Sequence, residues 1–162
     1  SWPVERFAEI GRRLRAQTRL TLVVCGGPGE KHLAHALQKA IGDGVVDLVG
    51  TTSIAELSEL IRNDVLVVTN DTGSAHICAA HGVPCVAAVG GGFHGRFLPY
   101  PTGFGGQPGV TAVATRMDCY GCRWSCIFEI KPGEVFPCIA RVEVEQVWNK
   151  IAQLLEVVDV KH

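Results

Sequence analysis

Asn70-Asp71-Thr72-Gly73-Ser74-Ala75-His76 has the residue types and the spacing to hold a phosphorylated ligand. The stretch follows an apolar run at 65–69 and leads into a short helical pattern. In an open parallel sheet, ligands bind beyond the carboxyl ends of the strands, where exit loops meet helix N-termini. Gly73 lets the backbone come close to a ligand, and the amides at the positive end of the next helix suit a diphosphate. Thr72 and Ser74 add hydroxyls without bulk. Asp71 cannot itself attract phosphate, so its work would be to brace the loop amides or to accept a sugar hydroxyl. His76, one turn into the helix, can donate to phosphate or sugar. The same residues also fit a plain structural role, in which Asp71 or Thr72 caps the helix and His76 is a polar residue satisfied near the core.

A second group is Cys119-x2-Cys122-x3-Cys126-x11-Cys138, four thiols in a short loop that also holds Gly121, Pro132, Gly133 and Pro137. Four cysteines at such spacing can close a tetrahedral site, and thiolates suit zinc, iron alone or an iron cluster. Two disulfides or free thiols are the competing readings. A closed four-thiolate site has no open position for substrate, so a metal here would fold the loop and take no part in catalysis. Cys25, Cys78 and Cys85 sit inside apolar segments, where free cysteine behaves as a small hydrophobe.

Gly90-Gly91-Gly92-Phe93-His94-Gly95 formally contains G-x-G-x-x-G after a strand. The motif should open a helix, yet Arg96-Phe97-Leu98-Pro99-Tyr100-Pro101 follows, and no strand with an acidic end comes after it. A nicotinamide (NAD) site is rejected on that context. The better reading is a glycine loop at the carboxyl edge of the sheet, with His94 and Arg96 available to a sugar or phosphate.

The elements that must position these groups alternate. A helix follows Pro3 with Phe7, Ile10 and Leu14 on one face. Strands are expected at 20–25, 45–49, 65–69, 83–89 and 110–114, and helices at about 30–41, 53–62, 74–81 and 144–158. Ser53 and Glu56 have the spacing of a capping box. Strands that are near-continuous apolar runs, alternating with helices, indicate a doubly wound parallel α/β sheet, Rossmann-like, covered on both faces. The stretch 90–109, rich in glycine and proline, is a long loop of the kind that carries function.

With 162 residues, 47% hydrophobic and 19% charged, the chain can bury one core but not two. It is read as a single domain over 1–162, with the cysteine loop 119–138 inside it. Its first helix would normally follow a strand, so a strand and a further domain are expected upstream. A net charge of −1 with scattered basic residues excludes a broad nucleic-acid surface. The apolar runs have strand length, so no transmembrane segment is expected.

Val67-Val68-Thr69-Asn70-Asp71-Thr72-Gly73-Ser74-Ala75-His76-Ile77-Cys78-Ala79-Ala80-His81-Gly82-Val83-Pro84-Cys85-Val86-Ala87-Ala88-Val89-Gly90 resembles the signature of glycosyltransferase family 9, the heptosyltransferases. The stretches opening at Trp2, at Leu22 and at Gly50 resemble that family in the same order, so the likeness spans nearly the whole chain. It implies the C-terminal half of a GT-B glycosyltransferase, two Rossmann-like domains facing across a cleft, with this half holding a nucleotide-diphosphate-heptose. Asp71, Thr72, Gly73 and His76 fall on family positions that contact the donor's phosphates and sugar, with Ser74 beside them. Glu30 falls near an acidic position resembling a ribose contact, although a glutamate opening a helix also favours its dipole.

The implied reaction is inverting heptose transfer from ADP-heptose or a related nucleotide sugar to an acceptor hydroxyl, in lipopolysaccharide biosynthesis or a related pathway. The acceptor would be a lipid-linked saccharide, a glycan or a protein, and the site cytoplasmic, at the inner face of the membrane. The family's base is a carboxylate of the N-terminal domain with no match here, so this stretch alone is expected to bind donor weakly and turn nothing over. The Gly90–Pro101 string resembles only a subset of the family. Two rivals stand beside this reading: half of a nucleotide-sugar epimerase, and a metal-stabilised binding module without catalysis.

Overall fold

Ser53 and Glu56 set the best-defined helix start in the chain. The Glu56 amide donates to Ser53 Oγ at 3.3 Å, and Glu56 Oε2 accepts from the Ser53 amide at 2.7 Å, so two orphan donors are satisfied reciprocally. The helix that follows, α3 (Ile54–Arg62), is one of six in the computed structural model, which describes residues 1–100 and 109–158. The others are α1 (Val4–Gln17), α2 (Lys31–Ile41), α4 (Gly73–His81), α5 (Pro137–Ala140) and α6 (Val144–Val158). The loop expected at 90–109 is described only to Tyr100; Pro101 and Pro108 lie outside the described residues.

All strand pairs are parallel. β1 (Val23–Val24) pairs with β2 (Val46–Asp47), and β3 (Val67–Asn70), β4 (Cys85–Ala88) and β5 (Val110–Val113) lie in that order. A doubly wound sheet has the order 3-2-1-4-5-6, and leaving out its first strand gives 3-2 and 4-5-6. The two groups here, β2-β1 and β3-β4-β5, can be laid onto that order.

The parallel α/β expectation holds, with the hydrogen bonding split into two sheets. The strands expected at 20–25 and 45–49 shrink to two residues each, because β1 and β2 have only one another as ladder partners among the described residues. Both groups still share one core, since Leu20 and Leu22 pack on the same cluster as Leu66 and Val68.

β4 is buried along its whole length and sorts its side chains by alternation. Val86 and Ala88 join Ile10 and Leu14 of α1 and Val147, Ile151 and Leu155 of α6 on one face. Cys85 and Ala87 join Ile61 of α3 and Ala75 and Cys78 of α4 on the other. Trp2 locks the first face: its indole N–H donates to the Val142 carbonyl at 2.7 Å, and its amide donates to Asn70 Oδ1 at 2.8 Å. Gly82 ends α4 in the left-handed region at a φ of 70°, where glycine avoids a Cβ penalty. The short α5, begun by Pro137, was not anticipated within the cysteine-rich stretch.

Candidate functional site

The loop 70–76 leaves the carboxyl end of β3, as the apolar run before it implied, and α4 begins at Gly73. Thr72 occupies the N-cap position, yet its side chain does not cap the helix; its hydroxyl lies 3.2 Å from that of Thr69. Asp71 makes no side-chain hydrogen bond among the described residues, so the purely structural reading of these two residues as caps fails. Burial pushes the Asp71 carboxyl above the usual carboxylate range, while the charges of His76 and His94 pull it back. A half-buried carboxylate without a hydrogen-bond partner costs stability.

The amides of Gly73 and Ser74 have no partner among the described residues, as helix starts leave them when no side chain caps. A Cβ built on Gly73 meets no heavy atom within 4 Å, and its φ is not positive. Neither backbone conformation nor packing requires glycine there. The space beside these amides is open.

The loop after β4 folds over this site. Tyr100 brings its phenol oxygen to 2.5 Å from His76 Nδ1, and Phe97 places its ring edge-on 6.4 Å from the imidazole. The Arg96 guanidinium lies beside the edge-on pair Phe93 and Phe97, 5.5 and 5.3 Å from their centroids. It has no carboxylate partner among the described residues, so a stacked, uncompensated cation stands at the edge of the site. Asp71 and His76 follow β3 and Arg96 follows β4, with the Phe97 ring near both His76 and Arg96; β3 and β4 pair with Asn70 opposite Ala88.

Glu30 stands apart from that group. Its Oε2 accepts from the Gly27 amide at 2.7 Å and closes the turn between β1 and α2. One carboxylate oxygen therefore serves its own loop, and no contact joins it to Asp71 or His76.

The cysteine loop supports the site from behind through its aromatic residues. A Cβ on Gly92 would lie 2.5 Å from Cδ2 of Trp124, and one on Gly91 would enter the Tyr120 ring. Gly121 and Arg123 donate their amides to the Gly91 and Gly92 carbonyls at 2.8 and 2.9 Å. Arg123 and Trp124 take φ values of 51° and 65°, an uncommon conformation for non-glycine residues, which turns the indole onto the glycines. Burial, then the neighbouring Cys138 and Cys119, pushes the Tyr120 phenol above its ordinary range.

Cys119, Cys122 and Cys126 are half-buried and Cys138 is buried, all with free thiols. Among the described residues no group of three or more His, Cys, Asp or Glu side chains is placed to hold a metal ion. Ring packing and backbone hydrogen bonds hold the loop against the glycines.

Sequence reasoning missed Tyr100, Phe97, Tyr120 and Trp124. The aromatic residues flanking the glycines in 90–100 and the cysteines in 119–126 were the available signal, since exposed backbone at glycine offers a surface for a ring.

Known proteins with the same pattern place this arrangement. The model of glycosyltransferase family 9 (heptosyltransferase) matches residues 1–103. Lipooligosaccharide heptosyltransferase 2 of Haemophilus influenzae is 32% identical over 92 residues, covering 55% of this chain and 27% of that protein. Two solved structures share the fold. A family 9 glycosyl transferase from Veillonella parvula has a TM-score of 0.69 at 24% identity over 96% of this chain and 42% of its own. The E. coli ADP-heptose lps heptosyltransferase II has a TM-score of 0.72 at 19% identity over 98% and 43%. The chain therefore spans less than half the length of each of these proteins. With a signature loop at the end of β3 and a family match over more than half its residues, this chain belongs to glycosyltransferase family 9.

Proposed function

We propose that this chain is the donor-binding half of an inverting glycosyltransferase that takes heptose from ADP-heptose and passes it to an acceptor hydroxyl on a lipid-linked saccharide, a glycan or a protein. The observation that carries the reading is the uncapped start of α4. Two free amides and open space at Gly73 follow directly on Asp71, which has no side-chain hydrogen bond among the described residues, and the cation Arg96 lies on the loop that also brings Tyr100 to His76. The heptosyltransferases it resembles, one of them named for ADP-heptose, support the choice of donor.

In the transfer, the acceptor oxygen bonds to the anomeric carbon as the bond from that carbon to the diphosphate oxygen breaks, with inversion. Negative charge grows on the leaving diphosphate. Preorganised amides, the positive end of α4 and Arg96 stabilise that charge where it develops. Asp71 accepts a sugar hydroxyl and orients the ring. The acceptor proton goes to a base outside this site, on the facing domain that the family resemblance implies.

The strand order supports a further part of the reading: a parallel strand between β1 and β3 that leads into α1 and completes the donor half. Among the described residues no helix is long and apolar enough to cross a membrane, and use of a nucleotide sugar fits a cytoplasmic site at the inner membrane face.

The test is calorimetric titration of the full-length protein with ADP-heptose, comparing wild type with Asp71→Ala and His76→Ala. Binding that collapses in both variants supports the donor site. No affinity of the wild type for any nucleotide sugar overturns it and leaves a binding module.

A further inference from the structure

Among the described residues His76 is hydrogen-bonded through one ring nitrogen. Its Nδ1 meets the Tyr100 phenol oxygen at 2.5 Å, the two rings stand edge-on at 5.8 Å, and Phe97 closes a third side. Nε2 has no hydrogen-bond partner among the described residues. The contact spans 24 positions, so Tyr100 reaches His76 only because the glycine loop doubles back over α4.

Imidazole chemistry turns this contact into a directional device. When the phenol donates to Nδ1, that nitrogen carries no proton, and the neutral ring must hold its proton on Nε2. When the ring is doubly protonated, Nδ1–H donates to the phenol oxygen and Nε2 still carries a proton. In both of these states Nε2 is a donor, whereas a neutral ring donating from Nδ1–H to the phenol oxygen would leave Nε2 an acceptor. Burial, then the Asp71 carboxylate and the Cys85 and Cys78 thiols, pushes the Tyr100 phenol above its ordinary range, so it keeps its proton. The titratable groups facing the imidazole are Asp71 from the loop before α4 and Tyr100 from the loop after β4. His94 acts on Asp71, and Cys78 and Cys85 act on Tyr100.

We propose that Tyr100 is a positioning residue: by engaging Nδ1 it fixes the ring and tautomer of His76 so that Nε2–H is presented to the donor's diphosphate. The proposal rests on the donor-site reading above. Tyr100 touches no reacting atom in it; it acts through His76.

The experiment is a double-mutant cycle on the full-length protein, read as the Kd for ADP-heptose, with Tyr100→Phe, His76→Ala and the pair. Phenylalanine keeps the ring contact and removes only the oxygen. A role through His76 predicts a loss of about tenfold for Tyr100→Phe in the wild type and no further loss in the His76→Ala background. Equal losses in both backgrounds overturn the proposal, since a merely structural tyrosine would cost the same in each. Absence of any wild-type affinity overturns the donor-site reading and this proposal with it, a result distinct from equal losses. Nitrogen-15 NMR of the unliganded protein adds a readout independent of donor: His76 is expected as the Nε2–H tautomer with Nδ1 accepting. An Nδ1–H tautomer would overturn the proposal, and unfolding midpoints establish that each variant is folded.

Discussion

Gly73→Ala separates a glycine kept for the fold from one kept for a ligand. Gly73 opens α4 at a φ outside the left-handed region, and a Cβ there meets no heavy atom within 4 Å. Alanine also narrows the unfolded ensemble, so the substitution is expected to leave stability unchanged or to raise it by up to about 1 kcal/mol. In the proposed donor complex the same methyl group would stand where a phosphate oxygen approaches the Gly73 and Ser74 amides. Losing one hydrogen bond to a charged group costs about 1.5–3 kcal/mol. At about 1.4 kcal/mol per decade, that is roughly a 10- to 150-fold rise in Kd. Thermal unfolding and calorimetric titration with ADP-heptose read the two effects separately. An alanine variant that binds donor as wild type does would refute the placement of the diphosphate at α4. A variant that loses several degrees of midpoint would show instead that the fold needs this glycine.

Gly92→Ala is expected to behave in the opposite way, because its Cβ would lie 2.5 Å from Trp124. Overpacking of this kind costs about 1–3 kcal/mol, and the loss should shrink in a Trp124→Ala background, measured by unfolding midpoints. Asp71→Asn tests the buried carboxylate. Its folded pKa is raised by burial, so the folded state binds the proton more tightly than the unfolded chain does. Stability is then fully present below the ordinary carboxylate range and falls as pH rises through the raised value. The asparagine variant, always neutral, should unfold at higher temperature than wild type at neutral pH, with the difference closing in acid; a lower midpoint at neutral pH would contradict this. Ser53→Ala removes the α3 cap and should cost about 1 kcal/mol in denaturant unfolding, while donor affinity stays unchanged.

Helices were more legible than strands, for a physical reason. The capping box at Ser53 and Glu56 and the apolar stripe of α6 are local patterns, and both elements lie where the sequence placed them. Strand residues at 20–22 are apolar because they reach the shared core, but a ladder also needs a neighbour, and apolar pattern does not report neighbours. The Asp71–His76 loop was legible as a contiguous string. Its partner Tyr100 was not, since a glycine-rich stretch gives no periodicity from which to read its return over α4. The cysteine spacing suggested a metal, whereas the loop's visible support comes from Tyr120 and Trp124 packed on glycine backbone. Ring-on-glycine contacts of this kind leave no spacing rule in a sequence.

The position of the site follows from sheet order more than from loop composition. β3 is an edge strand of its three-stranded group, and its carboxyl end carries Asp71 and the start of α4. The adjacent exit from β4 carries the glycine loop with Arg96 and Tyr100. The chain entering α1 arrives at the same level, because the Trp2 amide donates to Asn70 Oδ1 at 2.8 Å. Three segments therefore converge on one strand end. At the switch point of a doubly wound sheet, connections on either side run to opposite faces and open a crevice between them. Here α1 and α6 cover one face, and α3 and α4 the other. A loop of the same composition beyond β5 would still have backbone amides and a cation. It would lack a facing wall to exclude water, and the electrostatic stabilisation of a leaving diphosphate would be screened.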